Sequence, residues 1–320
     1  MIVQNRPKMR RPLDLAVLLF PAFSNHCLAN SIEPLRAANA IARRCCFRWR
    51  FVGLTEGEVV SSSGLSVRID STLGRAEGGD YLLVMPSYDV VDLDTPECRR
   101  ALRSARKRFA HLVGLDTGSW LLAGAGLLDG RRATIHREVQ IAMAERFPDV
   151  QVLPDRVIDD GDILSCGGAQ TSFELVLDLI ERNCGPLLRL EVAALFLDRS
   201  TDAPHSSRPP VPGGTAEAAI SIMLRHIETP LPIAEIATQL GMTRKRLEQK
   251  CQTRYGIGPR DLYRTIRLRE ARWLVETSSL SVREIALRCG YADPSALTRA
   301  FRQAFDLSPR ALRAHLDRAD

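Results

Sequence analysis

Two groups of polar side chains in the C-terminal third of the chain have the types and spacing needed to recognise the bases of double-stranded DNA. In the major groove, Arg and Lys donate hydrogen bonds to guanine, and Gln pairs with adenine. The first group is Thr243, Arg244, Lys245, Glu248 and Gln249, and the second is Ser295, Thr298, Arg299 and Arg302. Arg302 is the candidate for a contact to phosphate instead of a base. Each side chain taken singly is also compatible with a solvated helix face, so the prediction depends on the surrounding pattern.

The same pattern surrounds both groups, which predicts that each is carried by a helix-turn-helix motif. Apolar residues recur at every fourth position, as expected for the buried stripe of a helix. A Thr or Asp suited to cap a helix precedes each stripe, and a Gly suited to a tight turn precedes the cap. The corresponding residues are Gly241, Thr243, Leu247, Cys251 and Tyr255 in the first copy and Gly290, Asp293, Leu297, Phe301 and Phe305 in the second. The motifs are predicted at about residues 233–255 and 282–305, with their polar groups facing outward.

The second copy, SVREIALRCGYADPSALTRAFRQAFDLSPRALR, resembles the DNA-binding domain of the AraC/XylS family of transcription regulators. The resemblance covers roughly the last third of the chain, with Tyr291 and Leu297 where Phe is more usual. It implies an all-α domain in which a helix at about 259–277 holds the two motifs about one DNA turn apart. It also implies promoter DNA and RNA polymerase as partners, and we expect an activator.

A second candidate site lies at Asp116-Thr117-Gly118-Ser119, where the apolar run HLVGL leads directly into a predicted helix that extends through Leu127. A strand that turns abruptly into a helix has the geometry of a nucleophile elbow. The upstream runs DLAVLLF, FRWRFVGL, SVRID and DYLLVM, with helical patterns at about 29–43 and 96–109, are typical of a parallel three-layer α/β sheet. In such sheets, ligands bind at the carboxyl ends of the strands.

This part of the chain resembles the PfpI-like branch of the class I glutamine amidotransferase fold, which is flavodoxin-like. The matching segments are NSIEPLRAAN with Glu33, GLDTGSWLLAGAGLLDGRRATIH at the elbow, and GDILSCGGAQTSFELVLDLI. Enzymes of this superfamily carry a cysteine at the elbow, activated as a thiolate, but here the position is Asp116. The resemblance therefore implies a domain with no catalytic residue and no cofactor. The order of the two domains matches bacterial regulators that couple the sensing of a small molecule to transcription.

The elbow is predicted to hold a small-molecule effector instead. The resemblance brings Glu33 close to Asp116 and Thr117, and two carboxylates attract a cation. Trp120, one helical turn further on, either supplies an aromatic face for an ammonium or guanidinium group or is an ordinary core residue. His136 is either a structural residue or a contact to the ligand. Regulators with the same two-domain build respond to arginine, betaine, choline or carnitine, so the expected effector is a cationic nitrogen compound.

The charge distribution separates the two parts of the chain. Residues 215–320 hold 18 Lys and Arg against 12 Asp and Glu, which accounts for the whole net charge of +6, whereas residues 1–197 are balanced. A positive excess confined to one domain fits phosphate binding. The predicted organisation is a disordered tail (1–12), an effector-sensing and dimerisation domain (13–197), a linker rich in Pro, Ser and Gly (198–214), and a DNA-binding domain (215–320). A homodimer is expected.

The eight cysteines form no C-x-x-C pair and no Cys/His cluster, so no metal site is predicted and a reducing cytoplasm is the expected location. The apolar runs are too short to span a membrane, and no membrane partner is expected. Two alternatives stay open. One is an amidase or hydrolase with an attached DNA-binding domain. The other is a redox sensor that uses Cys27 or the adjacent Cys45 and Cys46, although Cys27 and Cys166 are more simply interpreted as packing residues.

Overall fold

The computed structural model describes residues 11–196 and 215–316. The chain divides into two compact units, residues 1–201 and 202–320. The predicted linker at 198–214 lies outside the described residues, and so does the predicted tail at 1–12 except for its last two residues. In the described part of the chain, no helix combines the length and the apolar character needed to cross a membrane.

The first unit alternates strands and helices. Its strands are β1 (Leu13–Leu19), β2 (Phe47–Gly53), β3 (Glu58–Val60), β4 (Ser66–Arg68), β5 (Ser71–Thr72), β6 (Gly79–Met85), β7 (Phe109–Leu115), β8 (Arg132–Ala133), β9 (Gln151–Val152), β10 (Val157–Asp159) and β11 (Ile163–Cys166). Its helices are α1 (Asn25–Ala42), α2 (Val90–Leu93), α3 (Pro96–Arg106), α4 (Gly118–Gly124), α5 (Gln140–Arg146), α6 (Ala169–Cys184) and α7 (Pro186–Phe196).

Seven strands form one sheet, in the order β10-β11-β7-β6-β1-β2-β5. All neighbouring pairs are parallel except β10 with β11 at one edge. Successive residues of β1 alternate between two cores: Leu15 and Val17 pack on the side of α1 and α6, whereas Ala16 and Leu18 pack on the side of α3 and α4. Helices therefore cover both faces, and the predicted three-layer parallel α/β fold is confirmed.

Two local predictions in this unit were wrong. The run SVRID does not join the main sheet, because β4 pairs with β3 in a separate antiparallel hairpin. Only Val67 of β4 is partly buried, so this strand lacks the apolar surface needed between two helical layers. The elbow helix ends at Gly124 and does not reach Leu127, since Gly126 has a φ of +71° that a continuing α-helix cannot include.

The second unit is entirely helical in its described residues. Its helices are α8 (Thr215–Arg225), α9 (Ile233–Gln239), α10 (Arg244–Tyr255), α11 (Pro259–Thr277), α12 (Val282–Arg288), α13 (Pro294–Phe305) and α14 (Pro309–Leu316). The helix pairs α9–α10 and α12–α13 are the two helix-turn-helix motifs, and α11 connects them. Gly241 and Gly290 occupy the turns with φ of +64° and +67°, which only glycine adopts without strain.

Local sequence explains where the second helix of each motif begins and which face is buried. Thr243 accepts a hydrogen bond from the Arg246 amide (3.3 Å), and Asp293 accepts one from the Ala296 amide (2.8 Å), so both predicted N-caps are present. The apolar stripe of α10 is buried as predicted. In α13, Phe301 is fully buried and stacks edge-on against Phe305. These stripes leave the opposite face of each helix to solvent.

Removing the cap of α13 should loosen that helix. Asp293→Ala leaves the Ala296 amide without its acceptor, and the expected loss is about 1 kcal/mol in the free energy of opening α13. Hydrogen exchange of the α13 amides measures this quantity. Asp293→Ser, which keeps a side-chain acceptor, is the matched control and should lose clearly less. Equal losses in the two variants would contradict a capping role.

Candidate nucleic-acid interface and elbow site

The exposed face of α10 carries the first predicted group. Arg244, Lys245, Glu248 and Gln249 are all exposed, and so is the cap Thr243. Leu247, Cys251 and Tyr255 lie on the buried side of the same helix. The structure therefore brings the first group together on one solvent-facing surface of an α-helix, the element that a major groove admits.

The exposed face of α13 carries the second predicted group. Ser295, Arg299 and Arg302 are exposed, while Thr298 is half-buried. The Thr298 hydroxyl donates to the Pro294 carbonyl (2.8 Å) within the helix. A cavity of about 310 Å³ opens on this face, lined by Thr298, Arg299, Arg302 and Gln303. Gln303 was not among the residues predicted from the sequence, although it lies one helical turn after Arg299 and could have been placed on this face by spacing.

Arginine side chains from outside the second motif fix its position. Arg267 of α11 donates to the carbonyls of Cys289 (2.7 Å) and Gly290 (2.6 Å), and its guanidinium lies 4.3 Å from the centroid of the Tyr291 ring. Arg313 of α14 donates to three carbonyls at the end of α11 and in the loop that follows it. These bonds satisfy carbonyls left open at the ends of helices. Neither arginine was predicted from the sequence to have a role.

The predicted elbow is present between β7 and α4. Asp116 has a φ of +59°, a left-handed conformation that Asp tolerates better than most residues. The turn is tightly packed, because a Cβ atom at Gly118 would collide with the Val84 carbonyl oxygen. The Thr117 hydroxyl donates to the Ser87 carbonyl (3.0 Å), which ties the elbow to the loop after β6. Asp116 and Thr117 thus lie together at the carboxyl ends of neighbouring strands.

The Asp116 carboxyl group is 8% exposed, and its environment raises its pKa. Burial is the main cause, because removal from water disfavours the charged form. A hydrogen bond from the Ser87 hydroxyl and the neighbouring His136 act in the opposite direction, and Glu138 adds a smaller raising effect. His136 also donates its backbone amide to the Asp116 carbonyl (3.0 Å). The net effect is that the ionised form of Asp116 is disfavoured at this position.

Two thiols for which the sequence favoured a packing role also lie near Asp116. Cys27 and Cys166 are fully buried, and each interacts electrostatically with Asp116. Burial raises the pKa of Cys27 well above its usual value and that of Cys166 to about 11, so neither is a reactive thiolate near neutral pH. Cys166 ends β11, the neighbour of β7, and this pairing is the signal that would have placed it at the elbow.

The remaining predicted residues are placed differently. Glu33 lies on α1, where its half-exposed carboxylate pairs with Arg36 (2.6 Å). Trp120 is buried in the core on the side of α3 and α4, with its ring edge-on to Phe147 at 5.3 Å. Cys27 and Cys166, which flank Asp116, belong to the core on the other side of the sheet. Of the two alternatives predicted for Trp120, an aromatic face for the ligand or an ordinary core residue, its burial in this layer favours the core residue.

These features define a class: a doubled helix-turn-helix protein joined to an α/β unit with a nucleophile-type elbow. Family models agree, since the helix-turn-helix domain model matches residues 236–315 and the DJ-1/PfpI family model matches residues 23–182. The HTH-type transcriptional regulator CdhR of Pseudomonas aeruginosa is 35% identical over 310 residues, covering 95% of this chain and 92% of CdhR. The chain therefore belongs to the AraC-type helix-turn-helix transcriptional regulators that carry an N-terminal DJ-1/PfpI domain.

Two further relatives match the first unit. The crystal structure of an AraC family transcriptional regulator from Pseudomonas putida is 28% identical, covers 57% of this chain and 99% of that chain, and superposes with a TM-score of 0.53. An isonitrile hydratase of Pseudomonas putida is 28% identical over 169 residues, covering 52% of this chain and 69% of the hydratase. A regulator and an enzyme are thus both similar to this chain over about half of its length.

Proposed function

We propose that the protein is a sequence-specific activator of transcription that is controlled by a small cationic nitrogen compound bound at the elbow. The observation that carries the DNA-binding part is the pair of capped helices, each with a buried apolar stripe and an exposed polar and basic face. The predicted DNA contacts are the two groups on α10 and α13. The whole excess of positive charge lies in this last third of the chain, which suits a partner with a phosphate backbone.

Arg299 is the residue of the second group best suited to reading a base, because it is exposed at the centre of the outward face of α13. Arg299→Ala should weaken binding to a selected operator by about 1–3 kcal/mol and relax the preference at one position of the site. A gel-shift titration against operator variants measures both effects. Lys107→Ala, which removes an exposed positive charge from the first unit, is the control. Unchanged operator affinity in Arg299→Ala would reject the assignment.

The effector part of the proposal rests on Asp116. Its buried carboxylate, with Thr117 and His136 beside it, offers a negative group whose ionised form is only partly compensated. A bound ammonium or guanidinium group would supply the missing charge. Glu33 lies on α1 and would contribute little to binding the cation, because Arg36 already pairs with its carboxylate. A ligand can shift the protein toward its active arrangement only if it binds that arrangement more tightly.

Calorimetry with the full chain tests the class of effector. The panel should contain arginine, betaine, choline and carnitine beside neutral and anionic metabolites of similar size. Binding confined to the cations supports the proposal, and binding of only neutral or anionic compounds rejects it.

We further propose that the protein works as a homodimer in the cytoplasm, where promoter DNA and RNA polymerase are found.

The enzyme alternative retains one specific observation, the similarity to an isonitrile hydratase. The elbow argues against it, because a carboxylate occupies the nucleophile position and both nearby thiols are buried with raised pKa values. Turnover in an ammonia-release or isonitrile hydration assay that disappears in Asp116→Asn would favour the enzyme.

The redox alternative is weakened at Cys27, because this thiol is buried and its pKa is raised, whereas Cys45 is exposed. Mass spectrometry after peroxide treatment tests that alternative.

A further inference from the structure

Three arginines lie at or next to the cavity on α13. Arg299 and Arg302 line it, and Arg264 reaches its edge from α11, where Nη2 donates to Oε1 of Gln303. Within residues 11–196 and 215–316, no carboxylate forms an ion pair with any of the three. The neighbouring Arg272 on α11 differs, since it pairs with Glu276 (2.9 Å). The charge at the cavity is therefore uncompensated and favours an anion.

The polar groups around the cavity are mainly donors. A guanidinium group has no acceptor, so Gln303 must offer its amide oxygen to Arg264, which leaves the amide NH2 of Gln303 able to donate. Most of the guanidinium N–H groups of Arg264, Arg299 and Arg302 are also free to donate. Several donors and three positive charges around one cavity suit an oxyanion, and guanidinium groups match the oxygens of a phosphate particularly well.

The position of Arg264 on α11 indicates that the anion is a phosphate of the DNA backbone. Arg264 stands on α11, the helix between the two motifs, and not on the helix whose outward face would enter the major groove. Most hydrogen bonds between proteins and duplex DNA go to the sugar-phosphate backbone, and a side chain on a helix outside the groove lies further from the base edges. Resting on the proposed DNA binding, we propose that Arg264, Arg302 and Gln303 seat one phosphate of the DNA backbone beside α13. The connecting helix then binds DNA itself, in addition to spacing the two motifs.

The salt dependence of DNA binding by the full chain tests the proposed phosphate contact. The probes are a duplex selected from a random pool by the wild-type protein and a duplex of random sequence. Arg264→Ala should weaken binding to both by about tenfold and reduce the slope of log K against log salt by about 0.9, the value for one lost phosphate contact. Arg264→Lys should keep most of the slope. Arg100→Ala removes an exposed charge from α3 and should leave the slope unchanged.

A second variant separates phosphate binding from a structural link between α11 and α13. In Gln303→Glu, the new carboxylate still accepts from Arg264, so hydrogen-exchange protection of α13 should be kept. The same carboxylate repels a phosphate, and binding to both duplexes should fall by about tenfold or more. If Arg264 only held the two helices together, the slope of log K against log salt in Gln303→Glu would equal that of the wild type, and the proposal would be wrong.

Three other results would contradict the proposed phosphate contact. An unchanged salt slope in Arg264→Ala would exclude a phosphate contact. A loss confined to the selected duplex would make Arg264 a reader of bases. Saturable binding of inorganic phosphate that requires Arg264, without any change in the DNA salt slope, would assign the cavity to a free anion. A wild-type protein that binds neither duplex would instead refute the proposed function, so the two failures are distinguishable.

Discussion

Gly290→Ala should destabilise the second helix-turn-helix motif by about 2–5 kcal/mol, one of the two largest effects that we expect from a single substitution. Two costs add. The first is the left-handed backbone conformation at a φ of +67°, which disfavours any residue with a Cβ atom. The second is overlap, because a Cβ atom there would lie 2.6 Å from the Ile227 carbonyl oxygen and 2.6 Å from Cδ of Pro230. The loop between α8 and α9 would have to move away from the turn.

Gly241→Ala is the matched control for this prediction. Gly241 occupies the same position in the first motif with a φ of +64°, but a Cβ atom there meets nothing within 4 Å. In this variant the first motif should lose only about 1–2 kcal/mol of stability, the cost of the left-handed backbone conformation. Hydrogen exchange of the amides in α10 and in α13 measures the two motifs separately in the full chain. Equal losses in the two variants would mean that the packing of Gly290 against Ile227 and Pro230 contributes nothing.

The two glycines also show how far the sequence could predict this unit. Caps, turns and apolar stripes depend on residues within one motif, so local spacing was sufficient to locate both motifs. The difference between Gly241 and Gly290 depends on Pro230 and Ile227, which lie outside the repeated pattern. The contacts of Arg267 are also non-local, since its partners Cys289 and Gly290 are about 20 residues distant in sequence. Contacts of this kind follow from the tertiary structure and not from periodicity.

At the elbow, the sequence predicted the turn but only part of its surroundings. The abrupt change from strand to helix at Asp116 is a local feature, whereas Ser87 and Cys166 reach it from β6 and β11 through the order of strands in the sheet. The sequence left two positions open for Trp120, the core and the effector site, because the run SWLLAGAGLL is apolar on nearly all sides. Such a helix gives no sequence signal for the face that points to the core, and only the layer of α3 and α4 showed where the indole lies.

Asp116→Asn should remove the binding of a cationic effector, with a loss of about 2–5 kcal/mol for one partner of a buried charge pair. Asn is a sound replacement, because it tolerates the left-handed conformation and has nearly the same shape. Calorimetry with the cation that binds the wild type measures the loss, and Asp129→Asn, which neutralises an exposed carboxylate in the same unit, should bind normally. Retained affinity in Asp116→Asn would place the effector elsewhere.

The same substitution should have the opposite effect on the ligand-free protein. Burial raises the pKa of Asp116, so the folded state binds this proton more tightly than the unfolded state, and stability from this group is lost as pH rises through its folded pKa. At neutral pH the ionised carboxylate therefore lowers stability, and Asp116→Asn should raise the Tm of the free protein. In the wild type, cation affinity should weaken with falling pH sooner than for an ordinary aspartate, because protonation removes the charge. Asn at this position should abolish that pH dependence, whereas a lower Tm for the free variant would show that the carboxylate is held by favourable partners and has no need of a cation.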